Sequence, residues 1–121
     1  MSKTILVVDD SASVRQVVSL ALRNAGHQVI EAIDGLDALK KLEDNKKVHL
    51  IVSDVNMPNM DGLNFVKAAK AKAEYRFTPV LMLTTESGED KKAEGKAIGV
   101  KAWLVKPFKP ELLLSAVTKL A

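Results

Sequence analysis

Short, continuously apolar runs alternate along the chain with stretches whose apolar positions recur three and four residues apart, and the rhythm repeats five times. That alternation predicts strand and helix units assembled on a parallel sheet. The first run, Thr4 to Val8, is β-prone throughout. Val14, Val17, Val18, Ala21, Leu22 and Ala25 then mark the inward stripe of a helix that stops at Gly26, with Ser13 and Gln16 spaced as a capping box. Gln28 to Ala32 reads as a second strand, and Asp34 with Gly35 opens a helix carrying Leu36, Leu39 and Leu42. Val48 to Ser53 is a third strand ending at Asp54. Beyond it, Pro58, Asn59 and Gly62 supply turn chemistry, and Asp61 is placed to cap a helix carrying Leu63, Val66 and Ala69.

Pro79 to Leu83 forms the fourth strand. The helix after it, with Ser87 as its cap, has only Ala93, Ala97 and Ile98 as apolar contacts and is interrupted by Gly95, which costs about 1 kcal/mol against Ala in a helix interior. It is therefore expected to be weakly anchored. Ala102 to Val105 is the fifth strand, and Pro110 begins a last helix that turns Leu112, Leu113, Ala116, Val117 and Leu120 inward. Strands so continuously apolar are covered on both faces, which predicts a three-layer α/β fold around a doubly wound, five-stranded parallel sheet. No linker interrupts the rhythm, so residues 1–121 read as one domain.

Composition narrows the classes. The 121 residues are 47% hydrophobic and 27% charged, which excludes a disordered or low-complexity chain, and the absence of Cys excludes disulfide and thiolate sites. No apolar run approaches the roughly 20 residues that span a bilayer, so a soluble, cytoplasmic protein is expected. The net charge is +3, but residues 1–86 hold 11 basic and 11 acidic side chains against 7 and 4 in residues 87–121, so the excess is local. With aromatics at 4% and no nucleic-acid motif, this reads as a basic face and not as a DNA binder.

In such sheets ligands sit at the carboxyl ends of the strands. Those ends carry Asp9 and Asp10, Asp54, Thr84 and Thr85, and Lys106. Two unit charges 4 Å apart repel by about 4 kcal/mol at an effective dielectric near 20, so three carboxylates need more cation than Lys106 supplies. An oxygen-only donor set suits Mg²⁺, which keeps waters and engages phosphate. Taken singly, Asp9 and Asp10 are equally a helix cap and a turn acid, and Asp54 is either a loop acid or a carboxylate nucleophile toward phosphorus. Thr84 is either an ordinary strand-end residue or a hydroxyl offered to a phosphoryl oxygen. His27 and His49 fall by strand starts, at the opposite end of the sheet, and are not expected to be catalytic.

The ordered set of Asp9-Asp10, the segment Asp54 to Gly62, Thr84 and Lys106-Pro107-Phe108 resembles the receiver domain of two-component response regulators over essentially the whole chain. The similarity is greatest to the stand-alone receivers of chemotaxis. The resemblance implies a flavodoxin-like sheet of strand order 2-1-3-4-5. It implies that Asp54 accepts phosphate from a histidine kinase, CheA-like in a chemotaxis setting, or from a small phosphodonor, and that the chain acts on itself and is not a turnover enzyme. Asp10 and Asp54 would ligate Mg²⁺, with Asp9 acting partly through water and Asn56 offering its backbone carbonyl. Lys106 would bridge to the phosphoryl group, Thr84 would move toward it, and Trp103 stands at the switch aromatic. The Lys106-Pro107 bond corresponds to the family's cis peptide. Asn56 and Glu86 correspond to the pair that influences dephosphorylation, and Thr85 replaces a residue that is usually small. Lys91, Lys92, Lys96, Lys101 and Lys109, on or near the fourth helix, would give a partner face for acidic or amphipathic segments, such as a flagellar switch protein or a phosphatase, with the chain itself monomeric.

Two enzyme readings fail on residues. Phosphohydrolases of the haloacid-dehalogenase type carry Asp-x-Asp after the first strand, whereas the acids here are adjacent. A P-loop fails because six residues separate Gly88 from Gly95 and Ala97 stands where Ser or Thr is required. A receiver-shaped binding module that takes no phosphate, a phosphate sink and a regulator outside chemotaxis remain as alternatives.

Overall fold

The computed structural model describes residues 3–44, 47–57, 59–84, 89–106 and 108–120, the side chains of 89–92 excepted. In chain order the elements are β1 (Thr4–Val8), α1 (Ala12–Asn24), β2 (Gln28–Ala32), α2 (Gly35–Asp44), β3 (Leu50–Asp54), α3 (Gly62–Lys70), a 3-10 turn (Ala73–Tyr75), β4 (Val80–Thr84), α4 (Glu89–Ala97), β5 (Ala102–Val105) and α5 (Pro110–Leu120). The sheet runs β2-β1-β3-β4-β5 with every neighbouring pair parallel. This is the doubly wound order expected, and its switch point lies between β1 and β3.

Period-two alternation sorts each strand onto two cores. Ile5, Val7, Leu50, Val52, Leu81 and Leu83 face α1 and α5, where they meet Val18, Leu22, Leu113 and Val117. Leu6, Val8, Ile51, Val80 and Met82 face the other layer and meet Ala38 and Leu42 of α2 and Leu63, Val66 and Ala69 of α3. Burial on both faces is why these strands read as continuous apolar runs.

The structure corrects several expectations about the helices. Val17, Leu36 and Leu112 are exposed, and so are Ala25, Ala93 and Ala97. Each of α1, α2 and α5 instead buries an i, i+4 pair against the flat sheet: Val18 with Leu22, Ala38 with Leu42, Leu113 with Val117. Val17 and Leu112, each next to such a pair, point about 100° away from it, and Leu36, two residues before Ala38, points about 200° away, so all three miss the contact. The cap of α1 is Ser11, whose Oγ accepts from the Val14 N–H at 3.4 Å, and not Ser13. Strand β3 begins at Leu50 and not Val48, and β4 covers Val80–Thr84, with Pro79 outside it contributing only its carbonyl to the Ile51 N–H. The 3-10 turn was not expected; it buries Tyr75, whose hydroxyl donates to the Leu42 carbonyl at 2.7 Å.

At the amino edge of the sheet, His49 Nδ1 accepts from the Thr4 N–H at 3.0 Å and His27 Nδ1 from the Lys3 N–H at 3.2 Å. The two imidazoles thus complete the start of β1 toward both of its neighbours.

Candidate functional site

The ends of β1, β3, β4 and β5 deliver polar groups to the opposite edge. Asp9 follows β1 and is wholly buried; Asp10, next to it, is exposed. Asp54 is the last residue of β3 and Thr84 the last of β4, both buried. Lys106 follows β5, and its N–H donates to the Thr84 carbonyl at 2.7 Å.

Carboxylate oxygens of Asp9, Asp10 and Asp54 lie within 4.8 Å of one another. Lys106 Nζ is 2.8 Å from Asp9 Oδ2 and 3.5 Å from Asp54 Oδ1, so the lysine sits between the two buried acids and is closer to Asp9. The other Asp9 oxygen accepts from the Ser11 N–H at 2.9 Å, and Arg15 holds the Asp9 carbonyl at 2.7 Å while pairing with Glu31 at 3.3 Å. Asp9 is therefore fixed from three directions. Asp54 has less support. Burial first, and then the charge of Asp9, raise its pKa above the usual carboxylate range; Lys106 opposes this by attraction and hydrogen bonding, and Asp10 adds a smaller upward push.

The backbone around Asp54 is as tightly determined. The N–H of Val55 donates to the Leu83 carbonyl at 3.1 Å, and that of Gly62 to the Val55 carbonyl at 2.8 Å, so α3 starts directly over the end of β3. A Cβ at Gly62 would run into the Asp54 carbonyl oxygen and come within 2.7 Å of Met82 Cε. Gly62 was expected only as a turn residue, and its role is this close approach. Asp61 caps α3 as expected, accepting from the Asn64 N–H at 2.8 Å.

Three carboxylates against one lysine leave the cluster short of positive charge, and every donor is a hard oxygen. The site can hold a divalent metal ion. Asn56 is exposed in the loop after β3. Trp103 is half-buried on the side of β5 that faces α4, in contact with the second core. Its ring closes over Gly95, where there is no space for a Cβ. Lys96, Lys101 and Lys109 are exposed, the last just before α5. Thr85, Glu86, the Ser87 cap, Pro107 and the side chains of Lys91 and Lys92 lie outside the described residues.

The family model for the response regulator receiver domain matches residues 5–118. The chain belongs to that family. Receivers act by phosphoryl transfer and autophosphatase chemistry on themselves and not by turnover of a substrate. A chemotaxis protein CheY homolog of Campylobacter jejuni is 39% identical over 110 residues, covering 90% of this chain and 85% of that one. The structure of the Vibrio cholerae chemotaxis protein CheY4 superposes with a TM-score of 0.95 at 50% identity, over 100% of both chains. The receiver domain of the Pseudomonas aeruginosa sensor histidine kinase PA1611, described with a magnesium ion coordinated in its active-site cleft, superposes with a TM-score of 0.88 at 25% identity over 99% of this chain and 98% of that one. This receiver is thus related to chemotaxis regulators. Among the described residues, no helix is long and apolar enough to cross a membrane.

Proposed function

We propose that the chain is a cytoplasmic, monomeric response regulator that accepts phosphate on Asp54 and signals through the surface of α4, β5 and α5. The observation that carries this reading is the placement of Asp54, buried at the end of β3 with a second buried carboxylate and Lys106 Nζ 3.5 Å away. A carboxylate oxygen of Asp54 attacks phosphorus; the donor's bond to phosphorus breaks, and an acyl phosphate results. The raised pKa of Asp54 fits a carboxylate that is poorly solvated and so has little water to shed before it reacts.

Asp9, Asp10 and Asp54, with the backbone carbonyl of Asn56, would hold Mg²⁺. The ion supplies positive charge to the transferring oxygens. Lys106 has only to swing from Asp9 Oδ2 toward Asp54 to reach the new phosphoryl group, a short path because it already lies near both. The Thr84 hydroxyl, from the end of neighbouring β4, would accept or donate at the same group, and Asn56 with Glu86 would tune its loss. Trp103, packed against Gly95, would follow the change at Thr84 through neighbouring β4 and α4.

The donor is a histidine kinase, CheA-like if the pathway is chemotaxis, and the target a flagellar switch protein met by the lysines of α4 and its surroundings. The likeness to the Vibrio and Campylobacter chemotaxis proteins supports that pathway. No nucleic acid is involved in this reading.

The test is incubation with acetyl phosphate and MgCl₂, followed by intact mass and Trp fluorescence. The wild type gains one phosphoryl group with a change in emission, and Asp54→Asn gains none. A wild type that stays unmodified with both acetyl phosphate and a cognate kinase would sink the phosphoacceptor reading in favour of a binding module.

A further inference from the structure

The loop that follows Asp54 is held by an element outside the carboxylate cluster. Asp34, buried in front of α2, divides its two oxygens: Oδ1 accepts from the Asp37 N–H at 2.8 Å and caps α2, while Oδ2 accepts from Asn59 Nδ2 at 2.9 Å. Asn59 lies five residues after Asp54 and has a φ of 69°, the left-handed region that Asn tolerates better than other side-chain-bearing residues. The next residue, Met60, presses on the start of α2. A Cβ added to Gly35 would lie 2.8 Å from Met60 Cγ and 2.9 Å from its carbonyl oxygen. One polar bond and one steric contact therefore clamp the same stretch of loop to the α2 terminus. The Asp37 N–H and the Asn59 amide, in that order, hold the Asp34 carboxyl below the usual carboxylate range, so the polar bond is charge-assisted.

We propose that Asp34 and Asn59 form a latch that fixes the loop after Asp54, and that its closure sets how tightly the carboxylate cluster takes a divalent cation. Both are positioning residues: neither belongs to the cluster, and they act through the backbone between Asn59 and Asp54, which carries Asn56. Gly35 is the small residue that lets the loop come close enough for the bond. The inference rests on the metal reading above.

The test is calorimetric titration of the whole chain with MgCl₂, alongside hydrogen exchange of the amides from Val55 to Met60. Asp34→Ser keeps an oxygen to cap α2 but cannot reach Asn59, and Asn59→Asp opposes two carboxylates. Each is expected to weaken Mg²⁺ binding about ten-fold, as loss of an outer supporting contact does, and to speed exchange in the loop even without metal. The double variant Asp34→Asn with Asn59→Asp reverses donor and acceptor, keeps a cap, and is expected to restore both readouts. A folded Asp34→Ser chain with wild-type affinity and wild-type loop exchange overturns the latch, as does a double variant no better than Asn59→Asp alone. A wild type that takes no Mg²⁺ overturns the metal reading itself, and the latch falls with it.

Discussion

Helices α3 and α4 have the same length, nine residues, and each follows a strand that ends in a site residue, yet they are built differently. Helix α3 has a side-chain cap and buries Gly62, Leu63, Phe65, Val66 and Ala69. Among the described side chains of α4, Ala93, Glu94, Lys96 and Ala97 are exposed and only Gly95 is buried, beneath the ring of Trp103. The ion pair that joins the two helices, Lys67 to Glu94 at 3.4 Å, is half-exposed at both ends and contributes under about 1 kcal/mol. One helix is welded to the end of its strand, whereas the buried contact of the other, among its described side chains, is Gly95 against Trp103 and Val100. Judged by the described side chains, an event at the common edge of the sheet would displace α4 more readily than α3, which is the asymmetry the proposed output through α4 needs.

The sharpest way to break this contrast is to make the same substitution in both helices. Gly62→Ala sets a Cβ against the Asp54 carbonyl, backbone that has nowhere to go, and is expected to cost about 3 kcal/mol in a denaturant titration. A loss well under 1 kcal/mol would show that the start of α3 can yield.

A smaller effect is expected at the residue that α3 covers. Because the pKa of Asp54 is raised, the folded chain holds that proton more tightly than the unfolded one. The stability this represents is fully present below the unfolded value of about 3.9 and is lost as pH rises through the folded value. Asp54→Asn is therefore expected to stabilise the protein at pH 7 by about 1 kcal/mol, net of the lost attraction to Lys106, with the gain vanishing toward pH 3. Paired thermal melts across that range check both the sign and the window.

The smallest change is expected from Gly95→Ala. Alanine favours the helix by about 1 kcal/mol, while its Cβ would press on the far edge of the Trp103 ring, a side-chain end that can shift where the Asp54 backbone cannot. Stability should stay within about 1 kcal/mol of wild type, and the emission of Trp103 should move to the red as the ring meets water. A destabilisation as large as that of Gly62→Ala would mean that α4 is as firmly seated as α3.

Much of this was legible in the sequence. Strand positions followed from β-prone apolar runs, and the convergence of Asp9, Asp10, Asp54, Thr84 and Lys106 followed from where those runs end. The weak anchoring of α4 could be read from its lack of large apolar residues. What escaped was set by shape. A helical stripe shows which way a helix faces but not how narrow its contact with a sheet is, so Val17, Leu36 and Leu112 were placed inward and lie outside. Gly62 looks like an ordinary turn residue and Gly35 like a plain helix opening until the neighbouring backbone and Met60 are seen occupying the space of a Cβ. The bond from Asn59 to Asp34 spans 25 residues and leaves no local pattern. In the sequence Asp34-Gly35 reads only as the opening of a helix and Asn59 only as a turn residue.

At the far edge of the sheet, His27 and His49 each lend a nitrogen lone pair to a backbone N–H at the start of β1, so the strand that leads to Asp9 and Asp10 at one end is moored at the other by side chains from just before β2 and β3. A one-residue slip of β1 against either neighbour would break one of these bonds and, because side chains alternate along a strand, would turn Ile5, Leu6, Val7 and Val8 each toward the wrong layer. The rim remote from the carboxylates thus acts as a gauge of register, holding Asp9 at the height where it meets Asp54 and Lys106.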